Sequence, residues 1–186
     1  MRAAPSERLT DLLDAACAAI CERGAEAVRM QAIADRAGVS RTLLHYHFSS
    51  RRDLLHQAFE HADLEVDRYV EARLETCGTP RERLDCVLGS YLDDEPAVRT
   101  NWGVWLELRR AAIHDPSLRP AVDASYDSWV ESVAGLLAQC GLTAGAVPAA
   151  IRLCALVDGL GEQMLLGRLI PEDARRLLGH AVASEL

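Results

Sequence analysis

The chain has 186 residues, of which 49% are hydrophobic and 5% aromatic, and its formal net charge is −8. Few aromatic residues, abundant Ala and Leu, and the absence of β-branched runs favour an all-α protein, and the patterns along the chain predict about nine helices. No apolar run reaches about 18 residues and no signal sequence opens the chain, so we expect a cytoplasmic protein that does not act at a membrane.

The first predicted helix runs from Ser6 to about Arg23. Its apolar residues recur at the spacing of three and four that marks an amphipathic helix, with Leu9, Leu13 and Ile20 among them. Ser6 suits the N-cap, and Gly24 suits the position just after the last turn.

A helix-turn-helix unit is predicted next, at residues 31–48, QAIADRAGVSRTLLHYHF. Helices at about Met30–Ala37 and Ser40–Phe48 flank Gly38, which suits a backbone with positive φ, while Ser40 suits an N-cap. The second helix of such a unit lies in the major groove of DNA. Residues 1–56 contain eight arginines and seven acids, and residues 57–186 contain twelve and twenty-one, so the excess acid lies outside this unit.

A long connecting helix follows, beginning at Ser50 with a capping-box pattern to Asp53 and ending near Gly78. The break at Gly78-Thr79-Pro80 opens a second helical segment. Within it, the helix near Ala144–Leu166 is apolar on most sides, which indicates burial in a core or between subunits. The predicted helices after the break are about Pro80–Leu92, Glu95–His114, Pro116–Cys140, Ala144–Leu166 and Pro171–Glu185.

These residues resemble the TetR family of transcriptional repressors. The N-terminal match consists of IADRAGVS, then HF and RRDLL, with Gly24 upstream. The rest resembles the choline-responsive BetI-type subgroup, through Trp102, Trp105, HDP at 114–116, ALVDGL at 155–160 and PEDA at 171–174. The resemblance implies a helix-turn-helix DNA-binding domain at residues 1–56 and a helical ligand-binding and dimerisation domain at 57–186. It also implies a homodimer that binds a palindromic double-stranded DNA operator and is released by a small-molecule effector.

The recognition helix and its surroundings supply the predicted DNA contacts. Arg41 suits a bidentate contact to guanine or a contact to phosphate, and Arg51 falls where the family has a phosphate-contacting lysine. The predicted DNA-binding residues are Gln31, Ser40, Arg41, Thr42, His45, Tyr46, His47 and Arg51.

Three residues depart from the family pattern in this segment. Arg29 replaces a threonine N-cap, Leu43 replaces a phosphate-contacting threonine, and His45 replaces a tyrosine. Losing these hydroxyl groups removes expected contacts. A family member that acts through protein partners instead of DNA is therefore kept as an alternative.

The second segment carries the predicted effector site and dimer interface. Aromatic faces beside carboxylates suit an organic cation, so we expect a cationic or amphipathic effector, although the same rings also suit core packing. The predicted ligand-binding residues are Trp102, Trp105, Tyr126 and Trp129. The predicted dimer residues are Leu156, Gly159, Leu160, Met164 and Leu177.

An enzyme is the third alternative, and the motifs argue against it. No nucleophile motif, phosphate-binding loop or metal-spaced cluster occurs in the sequence. His45 and His47, two residues apart on one helix, point in different directions and make a poor metal site. We therefore expect no catalytic residues, no metal and no cofactor.

Overall fold

Nine α-helices make up most of residues 7–186, the part of the chain that the computed structural model describes, and no strand occurs there. This confirms the predicted all-α class. The predicted Ser6 cap lies outside the described residues. The helices are α1 (Glu7–Arg23), α2 (Met30–Arg36), α3 (Arg41–His47), α4 (Arg51–Leu74), α5 (Pro80–Ser90), α6 (Pro96–His114), α7 (Arg119–Gln139), α8 (Ala146–Leu165) and α9 (Pro171–Glu185).

Local signals explain where several of these helices begin or end. Gly38 has φ +65° in the turn between α2 and α3, a conformation in which other residues are strained. At α5, the Thr79 hydroxyl accepts from the Glu82 backbone N–H, and the Glu82 carboxylate accepts from the Thr79 N–H. The N–H groups of Thr79 and Gly78 hold the pKa of Glu82 below its usual range. The cap is therefore strongest above that pKa and weakens in acid.

The predicted helix at Pro116–Cys140 begins later in the structure. A 3-10 turn occupies Pro116–Leu118, and α7 starts only at Arg119. The Asp115 carboxylate accepts from the Ser117 hydroxyl at 2.6 Å and from its N–H at 3.1 Å, and these bonds lower the pKa of Asp115. Asp115 is thus the N-cap of a short 3-10 turn.

The chain divides into two compact units. Unit 1 comprises residues up to Leu64 together with Gly103–Val122, and unit 2 comprises Glu65–Trp102 together with Asp123–Leu186. In unit 1, α2 packs against both α1 and α3. In unit 2, α5, α8 and α9 pack against one another.

A buried carboxylate ties several elements of unit 2 together. Asp93, 9% exposed, accepts a 2.7 Å hydrogen bond from the Tyr69 hydroxyl and pairs with Arg175 of α9. Arg73 lies 3.5 Å from the same carboxylate and over the Tyr69 ring. Burial and the bond to Asp93 raise the pKa of Tyr69 to about 12, so this contact persists in alkaline solution.

None of the helices in residues 7–186 combines the length and the apolar character needed to cross a bilayer. All six cysteines are free thiols in the structure. Burial raises the pKa of the Cys17 and Cys154 thiols to about 12, which favours the unreactive protonated form.

Candidate functional site

The helix-turn-helix unit is built around a small apolar core. Ile33 and Ala34 of α2 and Leu44 of α3 are fully buried, as is Phe48 just after α3. Ser40 is the N-cap of α3, as predicted, and its hydroxyl accepts from the Leu43 N–H at 3.1 Å. Arg29 stands at the N-cap of α2 and makes no side-chain cap bond there. The core holds α3 in place and leaves its outer side in solvent.

The outer side of α3 presents most of the predicted DNA-binding residues. Arg41, Thr42 and His45 are exposed, and Tyr46 is 82% exposed. Such exposure of a tyrosine is unusual, because its ring normally buries apolar area. The Arg41 guanidinium lies 3.4 Å from the His45 ring, one turn along the helix. An exposed arginine, hydroxyl and phenol on one short helix suit contacts to base edges and phosphates.

Two further predicted residues, Gln31 and His47, differ in their exposure and contacts. Gln31 is exposed on α2, where its amide donates to Asp35 at 2.7 Å. His47 is half-buried, with its ring edge-on to Tyr46 at a centroid separation of 5.3 Å. Leu43, the replacement for a hydroxyl residue, is also half-buried.

Arg51 makes a contact that the sequence did not indicate. Its guanidinium donates to the backbone carbonyls of Ala25 and Val28, in the loop between α1 and α2. From the other direction, the Glu107 carboxylate of α6 accepts from the Ala25 N–H at 2.7 Å. Gly24 begins this loop at φ +76°, and a Cβ there would lie 3.1 Å from Glu107. The loop leading into the helix-turn-helix is therefore fixed by charged side chains from both α4 and α6.

Replacing Arg51 by alanine should destabilise unit 1 by about 2 kcal/mol, because two backbone carbonyls lose a charged donor. Arg51→Lys should recover part of that loss, since one ammonium cannot match the fork of a guanidinium. The control is Arg52→Ala, because Arg52 is exposed and makes one 3.3 Å pair with Asp115. Urea unfolding measures the stability of each variant. Equal losses of stability in Arg51→Ala and Arg52→Ala would contradict the contact assigned to Arg51.

Four aromatic residues of unit 2 form a continuous group, here named the aromatic cluster: Tyr91, Trp102, Tyr126 and Trp129. The Trp129 ring lies 5.1 Å from that of Tyr91 and 6.1 Å from that of Tyr126, between centroids. The Trp102 indole N–H donates to the Tyr91 carbonyl at 2.8 Å. Three of the four predicted ligand-binding residues thus belong to one group. Tyr91 was missed because it follows α5, outside the helices that carry the others.

Trp105 does not belong to the aromatic cluster. It lies in unit 1, stacked on Phe59 at 4.8 Å with an interplanar angle of 17°, and is 7% exposed. The Arg109 guanidinium lies 5.9 Å from the centre of its ring. These contacts place Trp105 in the core of unit 1, and its predicted role in ligand binding stays a prediction.

Five exposed apolar or small residues lie on the outer side of α8 and at its C-cap, beside the exposed charged residues Arg152 and Glu162, and we name them the α8 face: Val147, Ile151, Ala155, Gly159 and Leu166. All five are exposed and recur at spacings of four and seven, on the side of the helix opposite its buried residues. Val147 is 54% exposed and Leu166 62% exposed.

The predicted dimer residues are distributed unevenly around this region. Gly159 belongs to the α8 face, and Leu177 of α9 is 41% exposed. Leu156 and Met164 are half-buried. Leu160 is only 6% exposed, so its side chain packs inside the protomer and has little area left for a partner.

Among residues 7–186, no three His, Cys, Asp or Glu side chains converge in an arrangement suited to a metal ion.

Two family models match the chain and together span most of it. Residues 12–58 match "Bacterial regulatory proteins, tetR family", and residues 80–186 match "BetI-type transcriptional repressor, C-terminal". The first range contains the helix-turn-helix unit. The second contains the aromatic cluster and the α8 face.

Similar proteins point to the same family. The HTH-type transcriptional regulator BetI of Brucella suis is 26% identical over 90% of this chain and 84% of its own length. A structure from Rhodococcus sp., assigned to the TetR family, is 31% identical with a TM-score of 0.88, over 96% of this chain and 98% of that one. A transcriptional regulator from Saccharomonospora viridis, solved in complex with choline, is also 31% identical, with a TM-score of 0.85 over 96% and 97% of the two chains.

Proposed function

Since the chain belongs to the TetR family of bacterial regulatory proteins and has a BetI-type C-terminal region, we propose that it is a ligand-released repressor. In this proposal a homodimer binds a palindromic operator, and a small organic cation lowers its affinity for that DNA. The observation that carries the proposal is the exposed side of α3, which presents Arg41, Thr42 and Tyr46 on a firmly packed helix.

DNA recognition in this proposal rests on α3. Arg41 reads a base edge, while Thr42 and Tyr46 contact phosphate oxygens. The contact between Arg41 and His45 supports the base-reading role, because it limits the freedom of a long side chain before binding. Arg51 acts indirectly, by holding the loop that leads into α2.

Replacing Arg41 by alanine should weaken binding to the operator by roughly 1–3 kcal/mol and relax discrimination at one base pair. Titrations against operator and scrambled duplexes measure both quantities. The matched control is Arg68→Ala, which removes the same charge from an exposed position of α4 in unit 2. An equal loss on both duplexes would contradict base reading by Arg41.

The salt dependence of wild-type binding tests the broader proposal. Neutralised phosphates release counterions, so the logarithm of the affinity should fall steeply and linearly with the logarithm of salt concentration. A family member that acts through protein partners would show no such slope on a palindromic duplex. Two observations support this alternative: Arg29 makes no side-chain hydrogen bond at the N-cap of α2, and Leu43 is half-buried where a phosphate-contacting hydroxyl was expected.

A homodimer is proposed through α8 and α9. The α8 face is exposed and apolar, and Ala155 and Gly159 allow a partner helix to approach closely. Leu177 extends the apolar surface onto α9, which packs along α8. Two such pairs of helices, one from each protomer, make a four-helix bundle that buries both faces.

The effector is proposed to be an organic cation bound at the aromatic cluster. The faces of tyrosine and tryptophan attract cations, and the choline complex of the S. viridis relative supports this class. Release from DNA follows if the cation prefers a spacing of the two α3 helices that does not match the half-sites, about 34–36 Å apart. Calorimetric titration with choline as the probe measures the cation affinity directly.

A further inference from the structure

Two cysteines of unit 2 meet at the turn that joins α4 to α5. Cys77 lies in this turn, after α4 ends at Leu74 and before α5 begins at Pro80, and Cys86 lies in the second turn of α5. The Cys77 side chain is half-buried, whereas that of Cys86 is 9% exposed. A small molecule in solution therefore reaches the Cys77 thiol more readily than the Cys86 thiol.

Hydrogen bonds bring the two thiols together. Desolvation and a hydrogen bond to the Cys86 side chain raise the pKa of the Cys77 thiol. The Cys77 Sγ also lies 3.6 Å from the Arg73 carbonyl oxygen, and the Arg73 guanidinium donates to the Cys86 side chain. Both sulfur atoms thus lie beside Arg73 and within hydrogen-bonding reach of each other, an approach from which a disulfide can form.

A second pair of cysteines in the chain lacks this arrangement. Cys17 and Cys21 lie four residues apart on α1, where helix geometry holds Cβ atoms about 5–6 Å apart, and a disulfide requires about 3.5–4.5 Å. The Cys17 thiol also donates to the Ala58 carbonyl at 3.3 Å and is 2% exposed. Cys77 lies outside any helix, so helix geometry does not hold its Cβ away from that of Cys86.

We propose that Cys77 and Cys86 are a redox-active dithiol, which a small disulfide such as oxidised glutathione converts to an intramolecular disulfide. The Cys77 thiolate attacks one sulfur of the small disulfide, forms a mixed disulfide and releases a thiolate, which takes up the proton that Cys77 lost. The Cys86 thiolate then attacks the Cys77 sulfur and releases the second small thiolate, which takes up the Cys86 proton. Two electrons pass from the protein to the small disulfide, which leaves as two thiols.

The new bond changes how α4 and α5 are joined. It encloses the capping box formed by Thr79 and Glu82 at the start of α5. It also ties the C-terminal end of α4 covalently to α5, where the thiol form has only hydrogen bonds between the cysteines. In a reducing compartment the pair stays a dithiol until an oxidant arrives, as is usual for redox-sensing cysteines.

Tryptic mapping of the oxidised protein tests this inference. Reduced native protein is incubated with oxidised glutathione in mildly alkaline buffer, because the raised pKa of Cys77 limits its thiolate at neutral pH. Free thiols are then blocked with N-ethylmaleimide before digestion. Trypsin separates the two cysteines into peptides 74–81 and 84–99, each with a single cysteine. These two peptides should appear joined by a disulfide, at least about tenfold more abundantly than any other linked pair.

Two variants distinguish the roles of the cysteines. Cys86→Ser should retain glutathione on Cys77 as a stable mixed disulfide, because no second thiol displaces it. Cys77→Ser should leave Cys86 mostly unmodified, because its side chain is buried. Peptide 9–23, which contains Cys17 and Cys21, is the internal control and should carry no internal disulfide.

The wild-type map decides the outcome without requiring any variant to fold. A linked pair of peptides 74–81 and 84–99 as the main disulfide product supports the inference. A wild-type protein that keeps glutathione on Cys77, or leaves Cys77 unmodified, overturns it. A map in which another cysteine is the main partner of Cys77 or Cys86 overturns it as well.

Discussion

Gly159→Arg should convert the protein from dimers to monomers and reduce operator affinity at least about 100-fold. Gly159 lies in the middle of the α8 face, between Ala155 and Leu166, where no neighbouring atom of the protomer lies within 4 Å of an added Cβ. The protomer therefore tolerates a side chain there. An arginine prevents the close approach of a second helix and places a charge in an apolar contact.

The loss of DNA affinity follows from the loss of the second half-site. In a dimer, binding of one α3 makes binding of the other intramolecular, which raises affinity by about 10²–10⁴ over one contact alone. Light scattering after gel filtration measures the oligomeric state, and a duplex titration measures affinity.

Ala183→Arg is the control for Gly159→Arg. It adds the same side chain at an exposed position of α9, on the far side of the helix from its buried residues Ala174 and Leu178. Ala183→Arg should leave both the molar mass of the oligomer in solution and its affinity for DNA unchanged. A dimeric Gly159→Arg with wild-type affinity would show that the protomers do not associate through α8.

Gly161→Ala should lower the free energy of unfolding by about 2–4 kcal/mol. A Cβ at Gly161 would overlap Cζ2 of Trp102, well inside van der Waals contact. The Trp102 ring is 4% exposed and its N–H is bonded to Tyr91, so it cannot turn aside without breaking that bond. Overpacking typically costs about 1–3 kcal/mol, and the lost hydrogen bond adds about 1 kcal/mol.

Gly135→Ala is the matched control for Gly161→Ala. Gly135 is an exposed residue of α7 with no atom within 4 Å of an added Cβ. Alanine there should stabilise the protein by about 0.5–1 kcal/mol through helix propensity alone. Urea unfolding of both variants gives the comparison. If Gly161→Ala is as stable as Gly135→Ala, the close packing of α8 against Trp102 is not a constraint in solution.

Trp102→Phe offers a second test of the same contact. A smaller ring leaves room for the methyl group added at position 161. The double variant Gly161→Ala/Trp102→Phe should therefore lose less stability than the sum of the losses in Gly161→Ala and Trp102→Phe.

Features fixed by neighbouring residues were predictable from the sequence. The turn at Gly38, the Ser40 cap and the helix stop at Gly24 all depend on residues a few positions apart, and the structure confirms each. The apolar spacing of α1 and α8 likewise identified helices whose bounds agree within a few residues. The family resemblance, carried by short motifs, was also confirmed.

Features that depend on distant residues were not predictable in the same way. Arg51 bonds to carbonyls more than twenty positions earlier, and nothing in the local sequence distinguishes it from the exposed Arg52. Trp102 and Trp105 are three positions apart on α6, yet one joins the aromatic cluster and the other stacks on Phe59. Ring partners and orphaned donors such as the Trp129 N–H depend on packing between helices.

The three tryptophans give the protein a set of built-in optical reporters. Trp105 stacks on Phe59 in unit 1, Trp102 is bonded and packed against Gly161, and Trp129 lies against two tyrosines. Their indoles therefore occupy three chemically different environments. Variants that retain a single tryptophan would let emission spectra follow unit 1 and the aromatic cluster separately, without any attached dye.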